Sequence, residues 1–167
     1  MSVAAGRDGR AAGPLCWTGE MESDGLGAAT SEELIERLRL EPHPEGGWLV
    51  EKWRGSPGLD GRAIGTSILF LLREHERSHW HRVDATEIWH HHAGAPLELR
   101  VVGKRSVVAH TIGDAAVGLA PSAIVPPHAW QSALSTGAWS LVGCTVTPGF
   151  EFDGFELAPP DWSPAAD

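Results

Sequence analysis

The stretch that decides the fold of this chain runs from residue 78 to residue 94 and reads SHWHRVDATEIWHHHAG. Its seventeen residues hold five of the nine histidines of the chain, one glutamate and two tryptophans. In an extended strand, the side chains at positions i and i+2 lie on one face. The spacing therefore predicts that His79 and His81 point the same way, with Trp80 on the other face.

A second strand follows within the same stretch. Residues 83–86 are polar enough to turn, and the alternation after them places Glu87, Trp89 and His91 on one face. If the two strands pair, Glu87 returns beside the two histidines of the first strand. Two imidazoles and a carboxylate are ligands typical of a divalent transition metal, and the candidates are Fe, Mn, Ni, Zn and Co. The simpler interpretation is that these histidines are ordinary core or surface residues of a strand.

The composition describes a globular chain with an acidic balance. A length of 167 residues, with 42% hydrophobic and 21% charged residues, suits a single domain with a sizeable core. The formal net charge of −9 argues against nucleic acid and anionic membrane as partners, because both attract clustered Lys and Arg. A small-molecule ligand or substrate is the expected partner.

The two cysteines indicate a reducing compartment. Cys16 lies in a segment without apolar periodicity, and Cys144 lies in an apolar run where a buried, unreactive thiol is expected. The N-terminus lacks a charged and then apolar leader, and no apolar run approaches eighteen residues. We therefore expect a cytoplasmic protein.

The pattern after residue 29 predicts one helix followed by many short strands. Thr30 and Glu33 form a capping-box pattern with apolar residues at helical spacing after it, so a short helix is predicted over 31–39. Residues 63–72 are a nearly continuous apolar run, typical of a strand buried on both faces. Further strands are predicted at 48–54, 96–102, 106–111, 122–125, 129–133 and 139–146. Short strands with closely spaced turn signals indicate an all-β sandwich or small barrel.

The domain organisation follows from the same pattern. Residues 1–29 are rich in Gly and Ala without a periodicity that could bury a face, and we predict a flexible N-terminal tail there. Residues 30–160 are predicted to form a single domain, and residues 161–167 a C-terminal tail.

Four blocks of sequence resemble one known family. They read LEPHPEGGWLVE at 40–51, HRVDATEIWH at 81–90, VPPHAWQSA at 125–133 and GCTVTPGFEF at 143–152. In this order they are similar to the Cupin-5 family, a largely uncharacterised branch of the cupin superfamily. The resemblance implies a double-stranded β-helix, the cupin jelly roll, that commonly forms a homodimer and has a pocket inside one end of the barrel. It implies no particular reaction, because the fold hosts many activities.

The resemblance also implies a set of site residues. His79, His81, Glu87 and Gly94 match the first cupin motif, and the second motif places Gln131 where a metal-binding histidine is usual. Gln131 would then be a weak fourth ligand beside His79, His81 and Glu87. The expected catalytic residues are His81, Glu87 and Glu45. The expected substrate-binding residues are Trp48, Trp89, His91, Trp130 and Gln131, although the tryptophans could equally be barrel core.

Three functions are compatible with this site. The first is a metal-dependent enzyme acting on a small molecule in a Trp-lined pocket. The second is a metal-free isomerase or epimerase with His81 as general base, although related epimerases use a tyrosine as the acid and this chain contains none. The third is a binding module for a small ligand without catalysis.

Overall fold

The computed structural model describes residues 29–104 and 106–164. The predicted N-terminal tail therefore lies outside the described residues except at its last position. The predicted helix is present as α1 (Ser31–Leu38), and its capping box is formed as the sequence indicates. The Glu33 backbone N–H donates to Thr30 Oγ1 at 3.2 Å, and the Thr30 N–H donates to the Glu33 carboxylate at 2.8 Å. These two bonds satisfy backbone donors that the first helical turn leaves unpaired.

The described residues after α1 are almost all strands and turns. The strands are β1 (Glu41–Pro42), β2 (Trp48–Arg54), β3 (Thr66–Arg73), β4 (Arg77–Val83), β5 (Thr86–Gly94), β6 (Leu97–Val102), β7 (Val107–Ile112), β8 (Ser122–Val125), β9 (Gln131–Ser135), β10 (Trp139–Thr147) and β11 (Phe155–Leu157). They form two antiparallel sheets, ordered β1-β2-β3-β10-β5-β8 and β11-β4-β9-β6-β7. The prediction of an all-β jelly roll preceded by a short helix is confirmed.

The core lies between the inner faces of the two sheets, and α1 covers the outer face of the first. Phe70, Leu72 and Trp89 belong to the inner cluster, while Leu71 packs outside against Leu34 of α1. Both faces of β3 are therefore buried, as its apolar run predicts. The helix adds about 2 kcal/mol for each large side chain that it removes from water here.

The two strands of residues 78–94 do not pair with each other, so the condition under which Glu87 would return beside the histidines by strand pairing is not met. β4 and β5 belong to different sheets and face each other across the barrel interior. The chain turns between them at Asp84, whose carboxylate accepts two hydrogen bonds from Arg62 at 2.8 and 2.9 Å. A corner that joins two sheets brings inward-facing side chains together from opposite walls, which strand pairing would not do.

The end of the described chain packs on the outer face of the second sheet. Trp162 stacks on Trp130 with ring centroids 4.6 Å apart, and it meets Trp80 edge to face at 6.0 Å. This part of the predicted C-terminal tail is therefore in contact with the domain.

Candidate active site

A cavity of about 300 Å³ lies inside one end of the barrel. It is lined by Glu41, Pro42, His43, Pro44, Glu45, Leu49, Glu51, Arg54, Thr66, Ile68, Phe70, His81, Val83, Glu87, Cys144, Val146, Phe150, Phe152 and Phe155. This lining includes all four phenylalanines of the chain. The walls are therefore mainly apolar, with four buried ionisable side chains, Glu45, His81, Glu87 and Cys144, placed among them.

His81 reaches the cavity because β4 contains a bulge. In the pairing of β4 with β9, Ser78 lies opposite Ala133 and His81 lies opposite Gln131. Two residues of β4 therefore face the single residue Ser132, which is the geometry of a β-bulge. The bulge breaks the alternation, so Ser78 and His81 are both buried although they are three positions apart.

The hydrogen bonds of His81 determine its tautomer. Its Nδ1 lies 2.8 Å from the backbone oxygen of His79, which can only accept, so Nδ1 carries the proton. In the neutral ring, Nε2 then keeps its lone pair, and no described residue forms a hydrogen bond with it. Burial lowers the pKa of His81, against the opposing effect of Glu87. His81 is therefore held as a neutral base.

Glu45 is placed beside His81 by a tight loop. Gly46 and Gly47 have φ values of 100° and 75°, a region that side chains rarely adopt. The loop is held close to β4 by a hydrogen bond, in which the His79 N–H donates to the Glu45 backbone oxygen at 2.7 Å. The Glu45 carboxyl group lies 3.3 Å from His81 Nδ1 and accepts a hydrogen bond from Ser78 Oγ at 2.9 Å. Burial raises the pKa of Glu45 to about 7.

Glu87 enters the cavity from β5 and is held from behind by two other side chains. The Gln131 amide donates to Glu87 Oε2 at 2.5 Å, and the Gln131 carbonyl accepts from Trp89 Nε1 at 3.0 Å. All three side chains are buried, so these hydrogen bonds are shielded from water. Burial also raises the pKa of Glu87, while His81 and the Gln131 hydrogen bond oppose this effect.

Two residues at this site were not predicted to take part in it. His43 lies 3.6 Å from the Glu45 carboxyl group, and burial lowers its pKa. Its position two residues before Glu45, in the same sequence block, was the signal that could have identified it. Cys144 is buried as expected, and it also lines the cavity. Burial and the nearby carboxylate of Glu87 raise its pKa well above the ordinary value.

Two of the predicted histidines do not line the cavity. The prediction that His79 shares a face with His81 is wrong, because the bulge turns His79 outward to contact the backbone oxygen of Pro159 at 3.0 Å. His91 lies further along β5, where its Nε2 is 3.1 Å from the Ala95 backbone oxygen.

The expectation of a Trp-lined pocket is also wrong. Trp48 lies in the cluster outside the first sheet, where its indole donates to Glu76 and stacks with Arg73. Trp130 lies outside the second sheet, with Arg82 over its ring at 4.9 Å. Trp89 is inside the barrel, but it stands behind Gln131 rather than on the cavity wall. Phenylalanines supply the aromatic surface instead.

The predicted metal-binding set does not fit this arrangement. Of its four members, only His81 and Glu87 line the cavity, because His79 points outward. The carbonyl oxygen of Gln131 already accepts from Trp89, and its amide group faces Glu87 as a donor. Among the described residues there is no group of three or more His, Cys, Asp and Glu side chains placed to hold a metal ion.

No helix in the described part of the chain has the length and apolar character needed to span a membrane.

Solved structures of similar sequence share this fold. A hypothetical protein from Leishmania major is 32% identical, with a TM-score of 0.71 over 78% of this chain and 88% of its own. A protein from Shewanella oneidensis is 37% identical, with a TM-score of 0.73 over 78% of this chain and 85% of its own. Oxalate decarboxylase from Bacillus subtilis is 12% identical, with a TM-score of 0.55 over 70% of this chain and 29% of its own, which is a likeness of fold alone. No curated protein matches the sequence.

A family model decides the membership of the chain. The model for the Cupin-5 family, described as cupin superfamily (DUF985), matches residues 32–158. This range holds α1 except its first residue, both sheets and every residue of the cavity wall. The resemblance expected from the four sequence blocks is confirmed, and the chain belongs to the Cupin-5 family of the cupin superfamily.

Proposed function

We propose that this protein is a small-molecule enzyme that works by proton transfer, with His81 as general base and Glu87 as general acid. One observation carries the proposal. His81 donates its Nδ1 proton to a backbone carbonyl, which leaves the Nε2 lone pair free in a cavity that also contains a buried carboxyl group of raised pKa. A neutral base beside a carboxyl group of raised pKa is a pairing suited to acid–base catalysis near neutral pH.

The proposed step conserves atoms and electrons. His81 Nε2 takes a proton from an acidic C–H bond of the bound molecule, and the electron pair of that bond moves into the molecule. The protonated carboxyl group of Glu87 donates its proton to a second atom of the same molecule. The result is an isomerisation, and proton exchange between His81 and Glu87 through water restores the starting state.

Glu45 is proposed as a positioning residue. Its carboxyl group lies 3.3 Å from His81 Nδ1, on the side away from the free lone pair. In its ionised form it would stabilise the imidazolium that forms when His81 accepts a proton. The proposed mechanism does not need a tyrosine, because the buried carboxyl group of Glu87 can supply the proton that a phenol supplies in related epimerases.

A metal-assisted reaction is the second candidate. It is favoured by the chemistry of two atoms, since the free Nε2 of His81 and the carboxylate of Glu87 are donors that divalent transition metals accept. The same two residues would then hold the ion. Treatment with a chelator separates this candidate from direct proton transfer.

The test measures exchange of substrate hydrogen with solvent. Small ketones and other molecules with acidic C–H bonds would be incubated with the protein in D₂O, and deuterium incorporation would be followed by NMR. We expect exchange by the parent protein that falls by at least about 100-fold in His81→Gln, the usual scale for loss of a general base. The controls are His110→Gln, on the exposed strand β7, and His79→Gln, which replaces the outward-facing histidine.

Each outcome separates the candidates. Both controls should keep the parent rate, and treatment with EDTA should leave it unchanged. Undiminished exchange by His81→Gln would contradict the proposal. Loss of exchange after EDTA treatment would favour the metal-assisted reaction. Loss of exchange in His79→Gln would contradict the outward placement of His79.

A further inference from the structure

The ionisable side chains of the cavity wall are mainly acidic. Glu45 and Glu87 are both buried, and neither contacts a lysine or arginine among the described residues. The one arginine on the described wall is Arg54, which lies at the exposed rim. Arg54 is already paired with Glu51 through two hydrogen bonds of 2.7 and 3.1 Å. A ligand that reaches the inner end of the cavity therefore meets carboxyl groups and no free cation on the described wall.

The inner end of the cavity presents mainly hydrogen-bond acceptors. His81 presents the lone pair of Nε2, because its one N–H group is used by a backbone oxygen. The amide group of Gln131 donates to Glu87 Oε2, and the other described side chain that is hydrogen-bonded to Glu87 is the thiol of Cys144, a weak donor. Glu87 is the proton donor of the proposed mechanism, and once it has given up that proton its carboxylate only accepts hydrogen bonds. The ligand must therefore supply donors to this end of the cavity.

Aromatic rings surround the route to these acceptors. Phe150, Phe152 and Phe155 form a cluster with centroid separations of 5.2 to 6.4 Å. Phe152 is exposed near the mouth, whereas Phe155 stacks beside His81 at 5.6 Å. Faces of aromatic rings attract cations, and rings combined with carboxylates are the usual surroundings of a bound ammonium group.

From these observations we infer that the cavity takes an organic cation, a small apolar molecule carrying a primary ammonium group, in preference to a carboxylate. This inference rests on the proposed function in taking the cavity as the substrate site. The ammonium group would donate to Glu87 and His81, and it would give the buried carboxyl groups the cationic partner that the described wall lacks. A carboxylate of the same shape would instead add a like charge beside them.

The test compares three probes that share a ring and differ in charge. Benzylamine is a cation at neutral pH, benzyl alcohol is neutral and benzoate is an anion. All three are small enough for a cavity at the lower end of the usual range of about 300 to 1,000 Å³. Binding to the parent protein would be measured by calorimetry and by ligand-detected NMR at constant ionic strength. We expect benzylamine to bind at least about tenfold more tightly than benzoate, with benzyl alcohol between them.

Two variants locate the effect. Glu87→Gln removes a carboxylate from the inner end and should lower the preference for benzylamine over benzoate by about tenfold. Glu156→Gln removes a carboxylate that pairs with Arg82 on β4, away from the cavity wall, and should leave the preference unchanged. The thermal midpoint of each variant would establish that it is folded, and the comparison of probes on the parent protein does not depend on either variant.

Failure of this inference is distinguishable from failure of the proposed function. Tighter binding of benzoate, equal binding of the three probes or no binding of any would overturn the ligand class, even if the protein catalyses hydrogen exchange on other molecules. Binding of benzylamine by a protein that catalyses no exchange would uphold the ligand class and contradict the proton-transfer mechanism.

Discussion

Replacing Gln131 with leucine should destabilise the protein through hydrogen bonds rather than through packing. Gln131 is 1% exposed, and its amide connects two other buried side chains, Trp89 and Glu87. Leucine has a similar volume but neither a donor nor an acceptor. Gln131→Leu would therefore leave the indole N–H of Trp89 without its acceptor and the Glu87 carboxyl group without its donor.

The magnitude follows from the two groups left unpaired. A buried donor or acceptor without a partner costs about 1 to 3 kcal/mol, so the pair costs about 2 to 6 kcal/mol. Burying the apolar leucine side chain instead of an amide offsets about 1 kcal/mol. We expect the free energy of unfolding to fall by about 3 kcal/mol, against a total of about 5 to 15 kcal/mol for a domain. The thermal midpoint should fall by about 6 to 12 °C for a chain of this size.

Urea unfolding followed by tryptophan fluorescence measures this change. Thr145→Val is a matched control, because it replaces a hydroxyl whose hydrogen bond to Ser67 is long, at 3.5 Å, and it should cost less than about 0.5 kcal/mol. Trp89→Phe removes the unpaired N–H, so the double variant with Gln131→Leu should be more stable than the sum of the single effects by about 1 to 3 kcal/mol. A loss below about 1 kcal/mol in Gln131→Leu, or additive effects in the double variant, would refute the reasoning.

Two further predictions concern parts of the fold outside the site. Asp84→Asn should lower the free energy of unfolding at neutral pH by about 1 kcal/mol, because Arg62 holds the pKa of Asp84 below its usual value through paired hydrogen bonds. A group whose pKa is lower in the folded state stabilises above its unfolded pKa, near 3.8, and loses that effect as the pH falls through the folded pKa. The gap between variant and parent in urea unfolding should therefore begin to close as the pH is lowered below 3.8, and a widening gap would contradict the assignment. Thr30→Ala should lower the free energy of unfolding by about 1 kcal/mol, because it removes the side-chain acceptor of the Glu33 N–H. Thr30→Ser keeps a hydroxyl acceptor and should retain most of the stability. Equal losses in the two variants would argue against the cap.

Local sequence signals determined the elements of this protein. Thr30 and Glu33 identify the start of α1 because a capping box is formed within four consecutive residues. The apolar run before Arg73 identifies a strand covered on both faces, since each of its side chains must leave water whichever way it points. The four family blocks extended these elements to a jelly roll, with Glu45, His81, Glu87 and Gln131 as candidate site residues.

Only the tertiary structure decided which of these side chains meet. His79 and His81 have the spacing of a shared face, but a bulge opposite Ser132 turns them apart, and a bulge depends on the partner strand rather than on the strand itself. Glu87 reaches His81 across the barrel because β4 and β5 enter different sheets, whereas alternation alone suggested pairing. The sequence likewise shows where the aromatic residues are, but it does not show which of their rings line the cavity.

One physical reason separates what the sequence determined from what the tertiary structure decided, namely the distance along the chain between the residues in contact. Caps, turns and alternation are set by neighbours within a few residues, so the sequence alone determined the helix, the strands and the residue types available for acid–base chemistry. Strand register, sheet assignment and the choice of phenylalanine over tryptophan for the cavity wall are set by contacts between distant segments. Those contacts exist only once the two sheets have packed together.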